Sequence, residues 1–219
     1  MKLFSHNVLA TLYFNFKMLP WRQAIHFPFI FYGKVRFIRT SGKILFSNTP
    51  KFGIIRIGAQ GSEMFPCNTT IMDLAGSFVI EGGPIIIGRG ALIRVEERGT
   101  LLFNNCRIGA NSIVFSEKMI KIDMNAGLSW NCQLMDTDRH DICDIETQVL
   151  RTRAKPIIIY KNCWIGNHVI INKGTILPSN TIVASCSLCN QDYSNKILPY
   201  SVIGGIPAKL LSINKKRID

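Results

Sequence analysis

Between Ile159 and Leu188 an aliphatic side chain returns at every sixth position: Ile159, Ile165, Ile171, Leu177 and Val183. Four places after each stands a small or β-branched residue, in turn Cys163, Val169, Thr175, Thr181 and Ser187. A helix repeats about every 3.6 residues and a strand every two, so a period of six fits neither as one element but is a multiple of the strand period. The pattern predicts short strands joined by tight corners. The aliphatic residue points into a narrow core, and the residue four places on sits at a bend where only a small side chain fits. The next position after the aliphatic one, Tyr160, Gly166, Asn172, Pro178 and Ala184, is mostly of turn-tolerant type. The fifth-following position, Trp164, Ile170, Ile176, Ile182 and Leu188, is apolar, more than a solvated face requires. A second subunit is the simplest expected cover.

The same period is traced upstream. Leu102, Ile108 and Val114 are in phase, with Cys106 and Ser112 at corners. After a slip at Met119 to Lys121 the period resumes at Ile122, Leu128 and Leu134, with Ala126 and Cys132 at corners; Ile87, Ala91 and Ile93 extend it backwards. A solenoid over about residues 85–189 is expected, each coil stable only against its neighbours. It is interrupted once, at 139–155, by a polar stretch from Arg139-His140-Asp141 to Arg151-Thr152-Arg153. Loops thrown out of a rigid repeat tend to carry function.

Composition adds an asymmetry. The chain has 219 residues, 47% hydrophobic and 18% charged, a globular balance with room for a real core. Nine Lys or Arg and no acidic residue precede Glu63, and the same stretch holds Phe4, Tyr13, Phe14, Phe16, Trp21, Phe27, Phe29, Phe31 and Tyr32. A cap packing its aromatics over the solenoid end is the first expectation, because terminal coils need covering. Peripheral contact with an anionic membrane is a further reading. Nucleic acid ranks last, since no binding motif accompanies the charge.

Lys17, Pro20, Arg22 and His26 interrupt the apolar run well short of the ~18 residues of a membrane span, and no clean secretory leader is legible. With seven cysteines, an odd number, the cytoplasm is the expected compartment, with peripheral association at the inner membrane face as an addition. Cys106, Cys132 and Cys163 read as packing residues. Cys186-Ser187-Leu188-Cys189 has the C-x-x-C spacing, but no second ligand pair accompanies it, so two small residues of the last coil is the preferred reading.

Three segments carry a resemblance. Leu128-Ser129-Trp130-Asn131 leading to Met135-Asp136-Thr137-Asp138-Arg139-His140, then Lys155-Pro156-Ile157 through Trp164-Ile165-Gly166-Asn167 to Lys173-Gly174, and finally Gly204-Gly205-Ile206-Pro207-Ala208-Lys209 resemble, in order and spacing, the hexapeptide-repeat acyltransferases. That left-handed β-helix family includes serine, maltose, antibiotic and polysaccharide O-acetyltransferases. Asn15-Phe16, Leu19-Pro20, Gln23-Ala24-Ile25 and Pro28 further resemble a subgroup of surface-glycan acyltransferases. The resemblance implies an all-β left-handed parallel β-helix with a cap over 1–50, a helix domain over 51–200 and a coenzyme-binding segment and tail over 201–219. It also implies a homotrimer and acetyl-CoA as co-substrate, with no metal.

By the same resemblance His140 is the catalytic base, a role that suits an imidazole near neutral pH. Asp136 and Asp138 either orient its ring, as in a Ser-His-Asp arrangement, or only turn the chain. Trp164, Trp130 and Asn131 are the expected acceptor-binding residues, with Trp164 read equally as a subunit-interface aromatic. Gly166, Lys173, Ala184, Ser185, Pro207 and Lys209 are the expected coenzyme lining, and Lys209 suits a phosphate. Two departures stand out: Asn190-Gln191-Asp192 where relatives carry Thr-Lys-Asp, and Ile206 where they carry Asn. His168 could line the same cleft, but a solvated solenoid histidine is the preferred reading.

The expected reaction is acetyl transfer to a sugar hydroxyl in surface polysaccharide or glycan biosynthesis, on a sugar, nucleotide-sugar or lipid-linked acceptor. An amino-sugar N-acyltransferase, an antibiotic acetyltransferase and a non-catalytic scaffold are the alternatives. A carbonic-anhydrase-like metal site is disfavoured, since of four histidines only His140 and His168 fall in the solenoid.

Overall fold

In a computed structural model, which describes residues 6–59, 64–65 and 67–218, the hexads become a three-sided coil. Phe4 and Glu63 lie outside the described residues. In the regular hexads the chain turns at a residue in the left-handed conformation, three places after the inward aliphatic one. Asn162, His168, Gly174, Asn180 and Cys186 have φ between 58° and 78°, and Asn105, Asn111, Asn125 and Asn131 between 39° and 60°. Asparagine tolerates this region better than other residues with a Cβ, which explains its recurrence there.

Successive strands therefore fall in turn on three parallel sheets. The first face runs through Phe29–Phe31, Ile55–Ile57, Ile85–Ile87, Arg107–Ile108, Gly127–Leu128, Trp164–Ile165, Ile182–Val183 and Val202–Gly205. The second runs from Val35–Thr40 through Ile113–Ser116, Gln133–Met135 and Ile170–Asn172 to Leu188–Cys189, and the third from Lys43–Phe46 through Ile120–Ile122 and Ile157–Ile159 to Ile176–Leu177. Registers are regular, for example Leu134 beside Ile171 and Ile159 beside Leu177. Ala208–Ser212 folds back antiparallel on Val202–Gly205 and closes the last coil.

The inward positions behave as the period requires. Ile159, Ile165, Ile171, Leu177 and Val183 are buried, as are the corner residues Cys163, Val169, Thr175, Thr181 and Ser187. One upstream assignment is corrected: in Thr100–Asn104 the inward residues are Leu101 and Phe103, while Leu102 faces outward. Side chains alternate along a strand, so a five-residue strand shifts the phase by one from a strict hexad. The solenoid also begins earlier than the repeat is legible, at Phe29. Residues 29–46 form its first coil, and only the two helices α1 (Val8–Met18) and α2 (Trp21–Ala24) act as the cap.

The first strand would leave its outer N–H and C=O groups unpaired, a cost that edges must avoid. Helix α1 meets them with side chains. Asn15, fully buried, donates from Nδ2 to the Phe29 carbonyl at 2.8 Å and accepts from Phe29 N–H at 3.2 Å. The Thr11 hydroxyl accepts from Phe31 N–H at 3.1 Å, and Asn7 N–H donates to the Phe31 carbonyl at 2.9 Å. Phe14 packs edge-on between Phe29 and Phe31. Replacing Asn15 by Ala orphans both Phe29 groups in a dry site and should cost about 2–3 kcal/mol. Urea denaturation measures the loss, and hydrogen exchange should place the earliest opening in residues 29–46.

Candidate active site

The 139–155 interruption leaves the edge between the second and third faces and is not an irregular loop. It is an antiparallel arm, bridged at Thr137–Ala154 and Cys143–Leu150. Asp138 N–H donates to the Arg153 carbonyl at 3.0 Å and Arg151 N–H to the Ile142 carbonyl at 2.8 Å. Asp144 closes the tip by accepting from Glu146 N–H, Thr147 N–H and the Thr147 hydroxyl. The Thr147 bonds hold its carboxyl below the usual range. Ile142, Ile145, Val149 and Leu150 are all exposed on this arm.

The foot of the arm is braced from both neighbouring coils. Asp136 is fully buried, and its carboxylate accepts from the Ser116 hydroxyl at 2.9 Å, Glu117 N–H at 2.7 Å and Lys118 N–H at 2.9 Å. Thr137 donates to Glu117 at 2.7 Å and accepts from Arg139 N–H at 2.9 Å. Glu117 also pairs with Arg153, whose charged form is favoured by that bond. From the other side Lys173 pairs with Asp138 and donates to the Thr152 carbonyl at 2.6 Å. Arg139, at φ 62°, lies 5.1 Å over the Phe115 ring.

His140 follows this braced foot and is exposed. Among the described residues neither Asp136 nor Asp138 bonds it. Asp136 is occupied by three donors of the preceding coil, and Asp138 by Lys173. Lys173, expected with the coenzyme lining, therefore lies on the edge of the arm and not with the other lining residues. Ser116, Glu117 and Arg153 are braces that sequence reading missed, because no local pattern links residues 116–117 to 136 and 153.

The remaining candidates gather on a different edge, between the first and second faces. Asn131 lies 3.3 Å from the His168 ring, and Trp130 is partly exposed beside it. Gly166 is packed so closely that a Cβ would sit 2.7 Å from Ser185 N, and Gly109 likewise meets the Ser129 carbonyl at 2.2 Å. Ala184 and the exposed Ser185 continue this strip, with the Ser185 hydroxyl donating to Asn167 at 2.7 Å. The closing turn, with exposed Pro207 and Lys209, abuts it: a Cβ on Gly204 would meet the Ala184 methyl at 2.9 Å, and Gly205 N–H donates to the Ser187 hydroxyl. Trp164 belongs to the first face, where Arg217 of the tail stacks 4.4 Å over its ring. Nothing in the tail sequence signals that contact.

No family model matches the chain. Over 56 residues, 26% of this chain, it is 36% identical to the galactoside O-acetyltransferase of Escherichia coli (strain K12), and the match spans about a quarter of that relative, 26% of its length. The solved structure of the polySia specific acetyltransferase NeuO superposes with a TM-score of 0.63 at 19% identity, over 88% of this chain and 79% of that one. The polysialic acid O-acetyltransferase OatWY gives a TM-score of 0.48 at 20% identity, over 86% and 89%. The likeness to NeuO is one of fold, the left-handed parallel β-helix.

The C-x-x-C pair is split by the coil. Cys186 is an exposed corner at φ 58°, whereas Cys189 points into the core, where burial pushes its thiol up to about 12. Burial likewise raises Cys163 to about 12, Cys132 to about 11 and Cys106 further still. Only a thiolate reacts readily. Ellman's reagent at pH 8 should therefore label Cys67, Cys143 and Cys186 in the folded protein, and the four buried thiols only after denaturation; labelling at Cys189 without unfolding would contradict this packing.

Proposed function

We propose that the protein is an acetyl-CoA-dependent O-acetyltransferase acting on a sugar hydroxyl, with His140 as general base and each site shared between neighbouring copies. The observation that carries this reading is the division of the candidate residues between two edges of one prism. His140 stands on the arm at one edge; Asn131, Gly166, Ala184 and Ser185 line the other. One chain alone does not join them, but the arm of one copy laid beside the strip of the next does so. The exposed Ile142, Ile145, Val149 and Leu150 give the arm an apolar surface suited to such a contact. Closed about a three-fold axis, this head-to-tail contact gives three equivalent sites and leaves no arm unpaired.

The strip fits a thin, extended coenzyme. Glycine at 166 lets the coils stack closely, small side chains at 184 and 185 leave the edge low, and exposed Lys209 at the end offers a cation for phosphate. The coenzyme supplies an activated acetyl group as its thioester. His140 accepts the proton of the acceptor hydroxyl as that oxygen attacks the thioester carbonyl, and returns it to the departing thiolate. Asp138, held by Lys173, and Asp136, held by the preceding coil, act by fixing the arm from which His140 projects. Both are positioning residues in this scheme.

The galactoside O-acetyltransferase relative and the NeuO fold neighbour support a sugar acceptor and O-transfer. Thiol release from acetyl-CoA in the presence of a panel of sugars and nucleotide-sugars tests the activity, and lability of the product to hydroxylamine separates an ester from the amide of an amino sugar. His140→Ala should lower turnover roughly 10²–10⁴-fold with the oligomer unchanged in sedimentation; near-full turnover would remove His140 from the mechanism.

Sharing of the site has its own test. Ser185→Trp fills the strip at an exposed position and should abolish turnover alone. Refolding it in equal mixture with His140→Ala leaves about one interface in four with both edges intact, so about a quarter of wild-type activity should return in a three-fold ring. No recovery would place both residues in a site within one chain.

A further inference from the structure

Helix α1 is turned inside out for a helix in water. Its inward face, at Ala10, Thr11, Phe14 and Asn15, is half polar and buried, because Thr11 and Asn15 are needed to satisfy the first strand. The residues directly opposite, Leu9, Leu12, Tyr13 and Phe16, follow the i, i+3, i+4, i+7 spacing of one helix face, and all are exposed. The second helix prolongs this surface: Trp21 is 69% exposed and 5.2 Å from Phe16, and Ile25 is exposed beyond it. Scattered surface apolar residues need no explanation, but a contiguous aromatic and aliphatic face does.

Cations surround that face. Lys17, Arg22, His26, Lys34 and Arg36 are exposed, and none of the Lys or Arg among them is in an ion pair among the described residues. A hollow of about 510 Å³ at the start of α1 sets Lys34 and Arg89 beside His6, Val8 and Leu9. No acidic residue precedes Glu63. A contact between copies of this chain would bring like charges together, whereas an anionic lipid surface offers both an acyl boundary for the apolar residues and phosphates for the cations.

We infer that the outer face of the cap docks on an anionic lipid surface, with α1 lying in the plane of the interface. At 11 residues the helix lies far short of a span, and no helix among the described residues is long and apolar enough to cross a membrane. The cap sits at one end of the prism, away from the two edges assigned to acetyl transfer. Resting on the three-fold reading above, rotation about an axis parallel to the long axis of the prism puts three caps on one plane. Weak single contacts then add as one multivalent attachment, and an acceptor held at a membrane surface would meet three sites at a fixed height.

Flotation of the full chain with vesicles of phosphatidylcholine, with and without phosphatidylglycerol, tests the inference. The wild type should float with the anionic vesicles and stay behind with the neutral ones. Leu9→Gln combined with Trp21→Gln, at positions 80% and 69% exposed and so dispensable for packing, should weaken the partition roughly tenfold or more. Turnover on a soluble acceptor should be unchanged in that variant, and His140→Ala should float like the wild type, so a failure of the acetyl-transfer reading leaves the flotation result legible. Absence of wild-type binding, or equal binding by the double variant, overturns the inference. A smaller species for that variant in sedimentation does so too, by showing the face to be a contact between copies.

Discussion

Along two edges of the prism nearly every corner turns through a residue held at positive φ, and coil stacks regularly on coil where that turn recurs at the same place. Asn105, Asn125, Asn162 and Asn180 lie one above another on a single edge, and each passes an amide N–H to the next, at 2.7, 3.4 and 3.0 Å. The backbone geometry and the side-chain ladder thus enforce one another. A residue with a large Cβ substituent would be strained at any of these corners, and a shifted corner would break the parallel register on all three faces. The core that results is one side chain deep. Its stability comes from stacking inward Ile, Leu and Val against the coils above and below, which is why the chain tolerates a long insertion at one corner but not a frayed end.

Both ends and the insertion are accordingly managed with polar groups. At the start, Asn15 and Thr11 stand in for the missing strand; at the finish, Ala208–Ser212 folds back as an antiparallel one. At the insertion, Asp136 supplies the acceptors that the chain gives up as it leaves the coil, taking the N–H groups of Glu117 and Lys118. A buried carboxylate is costly unless fully hydrogen-bonded, and three donors satisfy it here. The foot of the arm is thereby as rigid as the coil, while His140, immediately beyond it, remains exposed. The acetyl transfer proposed above asks for that combination of a fixed origin and an accessible side chain.

The electrostatic layout follows the same division. One cluster of the coil is paired: Arg39 and Arg94 bracket Asp73 and Glu96 on the second face, where hydrogen bonds from Arg39 hold the Glu96 carboxyl below its ordinary range. Among the described residues the positive charges of the cap stand without acidic counterparts, next to an apolar face that the coil does not cover. Unbalanced charge and uncovered apolar area on one surface both point outward to a partner.

The six-residue period, the burial of its first and fifth residues and the position of the interruption follow from the sequence alone, because local backbone alternation and corner sterics are properties of a few adjacent residues. So does the separation of a basic aromatic beginning from a balanced remainder. The first coil at residues 29–46 was not legible, since its inward Phe29, Phe31 and Ile44 carry no hexad spacing and are recognised only once paired with Ile55, Ile57 and Phe78. Tertiary structure alone decided that Leu101 and Phe103, not Leu102, face the core, that Asp136 braces the arm, that Lys173 belongs with Asp138, and that α1 turns its polar residues inward. Each of these depends on a partner 14 to 35 residues away in the chain, brought close by the stacking of coils, and spacing along a sequence carries no record of such a meeting.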